Sequence, residues 1–163
     1  MNNLMIVAHC DDETIFGGYD LLQNNNWTVI VITDNKKNKH RINEFINISK
    51  KLNFKFELWN YANIKKSVTK WNTKEIISRI NILIKNNNFD MILTHNLMGE
   101  YGHLHHKTIH KIIYNNFKNY NLQYFSKDRK VLELQESYEE LLNMYESKGG
   151  FNGLKHYWDS NRL

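Results

Sequence analysis

The chain has 163 residues, a length suited to one domain that buries about 68–70% of its unfolded surface and so folds without covalent staples. Its single cysteine, Cys10, has no internal partner, which excludes a disulfide scaffold and fits a reducing compartment. The formal charge of +5 raises the question of nucleic acid, but the lysines are spread through an Asn-, Ile- and Lys-rich, proline-free sequence. Only Lys36-Lys37-Asn38-Lys39-His40-Arg41 is dense, and it reads as a solvated loop running into a helix, or as a contact for an anionic part of a substrate. No basic-then-apolar leader and no apolar run near 18 residues is present, so the reading is a cytoplasmic protein without a membrane span.

Hydrophobic periodicity predicts strands and helices in strict alternation: strand 4–8, helix 13–23, strand 27–33, helix 39–52, strand 54–59, helix 73–87, strand 90–95, helix 104–118 and strand 121–125. Ile76, Ile77, Ile80, Leu83 and Ile84 recur at spacings of three and four, the mark of a packing helix. Asn-rich stretches at 24–26 and 86–88 read as turns. A short strand at Val131-Leu132-Glu133-Leu134 and a last helix over 136–148 complete the pattern. Alternation of this kind predicts an α/β, Rossmann-like single domain over 1–163, with a mostly parallel sheet and helices on both faces.

Two predicted strand ends carry chemistry. The apolar run Leu4-Met5-Ile6-Val7 delivers Ala8-His9-Cys10-Asp11-Asp12-Glu13, and Met91-Ile92-Leu93 leads into Thr94-His95 and Gly99-Glu100-Tyr101-Gly102-His103-Leu104-His105-His106. In a doubly wound sheet the first and fourth strands are neighbours at the point where the connections diverge, and ligands bind there. Two imidazoles and a carboxylate with open positions are the usual protein set for a hydrolytic zinc ion, and His9, Asp12 and one distal histidine would supply it. His106 and His110, four apart on a predicted helix, form a rival pair. His103 is placed to polarise a substrate carbonyl or protonate a leaving amine. Gly17-Gly18 within a helix implies close packing, and without a G-x-G-x-x-G or Walker pattern it is no phosphate loop.

The first segment resembles the AHPDDE signature of the PIG-L/LmbE-like de-N-acetylases, and Gly102-His103-Leu104-His105-His106 resembles that family's GHxxH motif. The resemblance runs through most of the chain, including Thr33, the R-x-x-E pattern of Arg41 and Glu44, and Tyr145-Glu146-Ser147. It implies His9, Asp12 and His106 as ligands of zinc, with ferrous iron as the other ion such a set accepts. It further implies Asp11 as general base, with Arg41 and Glu44 holding substrate. Tyr101 joins His103 at the developing oxyanion, and Tyr101 or Trp71 would stack on a sugar ring. Three positions depart from the family: Cys10 and Leu104 replace prolines, and His105 stands where aspartate is common.

The expected activity is hydrolysis of the N-acetyl group of an N-acetylated amino sugar or its glycoconjugate. Two rivals belong to other classes: a sugar-binding module of the same fold without turnover, and a basic nucleic-acid-binding domain. The sequence says nothing of oligomeric state.

Overall fold

Strand β1 (Asn3–Val7) is buried along its whole length and its side chains alternate between two cores. Leu4 and Ile6 enter one apolar cluster with Ile30, Ile32 and Ile92, whereas Met5 and Val7 enter another with Val29, Val31 and Leu93. A strand apolar on both faces belongs in the middle of a covered parallel sheet. In the computed structural model, which describes residues 1–24, 26–33, 38–63 and 70–159, it is the central strand. Around it stand β2 (Trp27–Thr33), β3 (Lys55–Tyr61), β4 (Met91–Thr94) and β5 (Leu122–Tyr124), in the order β3-β2-β1-β4-β5 with every neighbouring pair parallel. The α/β sheet with helices on both faces is thus observed.

Helices α1 (Asp12–Ile15), α2 (Gly18–Gln23) and α3 (Lys39–Leu52) follow the first two strands, and Ile15, Leu21, Phe45 and Ile48 carry them onto the Met5 face. Helix α4 (Thr73–Asn87), the one-turn α5 (Gly99–Gly102) and α6 (Leu104–Phe117) come next. Ile76, Ile80 and Ile84 of α4, with Ile109, Ile112 and Ile113 of α6, cover the Leu4 face. Helices α7 (Gln135–Asn143) and α8 (Gly150–Asp159) return to the Met5 face through Tyr138, Leu141, Leu142 and Leu154. Asn72 caps α4 by accepting from the Glu75 amide, and Asn88 ends it in the left-handed conformation.

Three expected elements differ. The helix predicted over 13–23 is two helices, because the chain bends at Phe16-Gly17 to pass β1; a Cβ at Gly17 would lie 2.5 Å from the Met5 methyl, and one at Gly18 2.8 Å from the Tyr138 ring. The strand predicted at Val131–Leu134 is instead a 3₁₀ turn, Leu132–Leu134. Val131 and Leu134 are three apart and pack together on the core, while Leu132 is 74% exposed; a period of three had been read as a period of two. The last predicted helix stops at Asn143, and Gly149 and Gly150, both at positive φ, turn the chain into α8. Lys36 and Lys37 of the basic cluster and Asn25 of the first turn lie outside the described residues. Among the described residues no helix is long and apolar enough to cross a bilayer.

Candidate active site

Because β1 pairs with both β2 and β4, the chain leaves the carboxyl ends of β1 and β4 in opposite directions, and a crevice opens between the two loops. On the first loop Asp11 has φ 119°, a conformation that costs a non-glycine residue about 1–3 kcal/mol. Its amide donates to Glu13 Oε2 at 2.9 Å, and Glu13 is itself fixed by Tyr145 Oη, which donates to Oε1 at 2.6 Å, and by the Thr14 hydroxyl at 2.8 Å. Burial pushes Glu13 up to about 7 against the pull of these three donors. Glu13 and Tyr145 therefore hold the backbone that presents Asp11.

Four imidazoles converge on Asp12 or on each other. Asp12 Oδ2 accepts from the His9 amide at 2.8 Å and lies 3.0 Å from His9 Nδ1, 3.3 Å from His106 Nε2 and 3.7 Å from His95 Nε2. His9 Nε2 is 3.0 Å from Nδ1 of buried His105. Ligand atoms of His9, His103 and His106, and likewise of Asp12, His95 and His106, lie within 4.8 Å of one another, so both groups are close enough to surround one ion.

Hydrogen bonding separates them. His95 Nε2 accepts from the Ala8 amide at 2.9 Å and its Nδ1 meets Glu100 Oε2 at 2.8 Å, so the lone pair of His95 is already committed to the backbone. His103 caps α6: its Nδ1 accepts from the His105 amide at 3.2 Å, which places the hydrogen of the neutral ring on Nε2 and makes that nitrogen a donor. His106 is arranged the opposite way. Its Nδ1 faces Glu100 Oε2 at 2.6 Å, and its Nε2 is buried with no hydrogen-bond partner among the described residues. An imidazole whose Nδ1 is turned to a carboxylate presents Nε2 for a metal, and that of His106 points at Asp12 across 3.3 Å. Donor atoms of His9, Asp12 and His106 are thus ones that could hold a divalent metal. Among the described residues His110 belongs to neither group, and its Nδ1 donates to the His95 carbonyl at 3.0 Å.

The charges follow this wiring. Burial opposes the charge of Asp12, but His106 and His9 hold its carboxyl well below the usual range. Burial likewise opposes the His106 imidazolium, yet Asp12 and Glu100 push it up to about 10. His103 is brought down to about 3 by burial and by the neighbouring His106 and His9, so it stands neutral at physiological pH. Of the two roles the sequence offered for His103, polarising a carbonyl or protonating an amine, a neutral ring with its hydrogen on Nε2 suits the first. Asp11 is raised by burial, although Arg41 Nη1 donates to its Oδ2 at 3.0 Å and Lys148 Nζ lies 3.7 Å away.

A cavity of about 310 Å³ opens over these residues, lined by His9, Asp11, Asp12, Arg41, Tyr101 and His103 and closed by Asn63, Lys148 and Tyr157. Tyr101 packs against Tyr157 and His106, and burial raises its hydroxyl so that it stays a phenol. Glu44 is not among the lining residues. Its carboxylate accepts from the amide of Ser147 at 2.8 Å and from the same residue's hydroxyl, anchoring the turn that carries Lys148. Trp71 is buried and donates from Nε1 to the Ala62 carbonyl at 3.1 Å, so it is a core residue that packs on His105 and offers no face to a sugar. Lys148 and Tyr157 escaped sequence reasoning, although Gly149-Gly150 beside Lys148 marked a turn.

Residues 4–117 match the family described as GlcNAc-PI de-N-acetylase, PIG-L. An uncharacterized protein of Acanthamoeba polyphaga mimivirus is 41% identical over 128 residues, which are 69% of this chain and 56% of that protein; the chain thus spans just over half the length of that relative. Among solved structures, a deacetylase–teicoplanin complex from teicoplanin biosynthesis superposes with a TM-score of 0.74 at 13% identity, covering 96% of this chain and 91% of that one. The 4-carboxy-2-hydroxymuconate hydratase GalB of Pseudomonas putida superposes with a TM-score of 0.64 at 12% identity over 98% of this chain and 82% of that one. These structures share the fold, and a hydratase among them shows that the fold does not choose the reaction. On the match over residues 4–117 and the viral relative, the chain belongs to the GlcNAc-PI de-N-acetylase (PIG-L) family.

Proposed function

We propose that this chain is a metal-dependent hydrolase that removes the N-acetyl group from an N-acetylglucosamine-type amino sugar or its glycoconjugate. One observation carries the reading: Asp11, whose side chain caps no helix, lines the cavity with His9 and Asp12, and His106 stands 3.3 Å from Asp12, an arrangement that suits a divalent ion. Zinc, or ferrous iron, held by these three would polarise the acetamide carbonyl and acidify water.

Asp11 takes a proton from the water as its oxygen attacks the carbonyl carbon, and a carboxyl raised by burial holds that proton well. His103 donates Nε2–H to the oxyanion that forms, with the Tyr101 hydroxyl as a second donor in the same cavity. Neutral His103 has no proton to give the leaving group. Asp11 therefore returns its own proton to the nitrogen, the C–N bond breaks, and acetate and a free amine result. Arg41 and Lys148 keep Asp11 oriented and set how strongly it holds the proton. A cavity of about 310 Å³ accommodates one sugar ring, and a glycoconjugate would extend from its mouth.

The test is release of acetate and free amine from N-acetylhexosamine substrates by the purified chain. Activity should vanish on chelation and return with zinc or ferrous iron; sugar binding without acetate release would leave only a binding module. His103→Ala should keep its metal and nearly its KM while kcat falls about 10²–10³-fold, since a donor to the oxyanion acts mainly in the transition state. Metal loss in this variant would move His103 among the ligands.

A further inference from the structure

We infer that Glu100 is the positioning residue that fixes the tautomer of two buried histidines, presenting His106 Nε2 to Asp12 for a metal and His95 Nε2 to the Ala8 amide. The inference rests on the metal site proposed above. A single oxygen, Glu100 Oε2, takes both Nδ1 atoms, His95 at 2.8 Å and His106 at 2.6 Å. A carboxylate only accepts, so both rings must carry hydrogen on Nδ1, and both Nε2 atoms are left to serve as acceptors or ligands. For His95 that position meets the Ala8 amide; for His106 it meets Asp12. The two rings are stacked with centroids 3.8 Å apart and share this carboxylate, and what separates them is the Ala8 amide on His95 Nε2.

The carboxylate is itself built in. Glu100 Oε1 accepts from the Asn96 amide at 2.8 Å, and the Glu100 amide donates to Asn96 Oδ1 at 3.0 Å, a reciprocal clasp across one turn. Glu100 has φ 55°, in the left-handed region, and follows Gly99 at φ 63°, where a Cβ would lie 2.8 Å from Lys107 Cγ. A fully buried acid on a strained turn is retained only where its surroundings over-determine it. His105, at the position where the sequence led us to expect an aspartate, faces His9 Nε2 instead. The negative charge behind the ligand histidine His106 comes instead from Glu100, six residues upstream.

Zinc titration against a competing chromophoric chelator tests this, with Co²⁺ absorption as a readout of ligand geometry. Glu100→Gln keeps the shape but brings an N–H to one side, so either Asn96 or the paired imidazoles lose their acceptor. Zinc affinity should fall about 10–100-fold and the Co²⁺ bands should change, while Glu100→Asp, which keeps the charge but shortens the reach, restores part of both. Should Glu100→Gln not fold, Glu100→Asp carries the same comparison. Unaltered zinc affinity and an unaltered Co²⁺ spectrum in a folded Glu100 variant would overturn this assignment alone; wild-type protein that takes up neither ion would overturn the metal reading and the assignment with it.

Discussion

Asp11→Asn should retain its metal and its fold while deacetylation slows by about 10²–10⁴-fold, the usual range for removing a positioned general base. The variant keeps the side chain's size, and the backbone bond that holds its strained conformation, Asp11 N–H to Glu13, does not involve the side chain. What it loses is the ability to take the water's proton and return it to the amine, and both halves of the reaction need that. It also loses the partner of Arg41, whose Nη1 would face an amide in place of a carboxylate. The pH profile separates these effects. In the wild type, activity should fall on the acid side as Asp11 protonates, at a pH above the usual carboxylate range because burial raises it. Removing the opposing cation with Arg41→Gln should carry that acid limb to higher pH, and in Asp11→Asn the limb should disappear. Undiminished turnover in Asp11→Asn with acetate still released would transfer the base role to another group.

The two loops were legible in sequence because each is local. A strand of alternating apolar residues announces where its end lies, and the topology of a doubly wound sheet makes the first and fourth ends neighbours, as the pairing of Ile6 with Thr94 bears out. The relation among the histidines was not local. His95, His103 and His106 are the same residue type within a dozen positions, and only the hydrogen-bond partners around them, the Ala8 and His105 amides as donors and Glu100 as acceptor, distinguish a locked ring from an available one. Glu100 was visible as a ligand-type residue among glycines, but its work depends on a left-handed backbone that a sequence does not display. Protonation was not legible for the same reason: burial among other imidazoles brings His103 down, a property of the cluster and not of the motif. Arg41 and Glu44 share one helical motif yet serve different ends, since three residues along α3 carry one into the cavity and the other to Ser147.

Substituting His9, Asp12 or His106 by alanine should abolish stoichiometric zinc binding and, with it, activity. The three losses should differ in a second property. In protein stripped by chelation, His106 carries a proton up to a pH of about 10, shared between Asp12 and Glu100. Its folded pKa lies above the ordinary histidine value near 6.5, so the stability it contributes is fully present below that value and is lost as pH rises toward 10. Asp12 is depressed, so its contribution is present above the ordinary carboxylate range and is lost only in strong acid. Zinc must displace the His106 proton, and affinity should therefore rise about tenfold per pH unit between roughly 7 and 10 for one proton released. His106→Ala removes this competition along with the ligand. It takes a shared partner from two buried carboxylates, leaving Asp12 with His9 and Glu100 with His95, and should destabilise the stripped protein by about 3–5 kcal/mol, whereas His9→Ala leaves His106 between the two carboxylates and should cost less. Denaturant melts of the stripped variants, with zinc titrations at several pH values, check both. Near-wild-type zinc affinity in all three variants would remove the ion from this site, and a pH-independent zinc affinity in the wild type would remove the proton from His106.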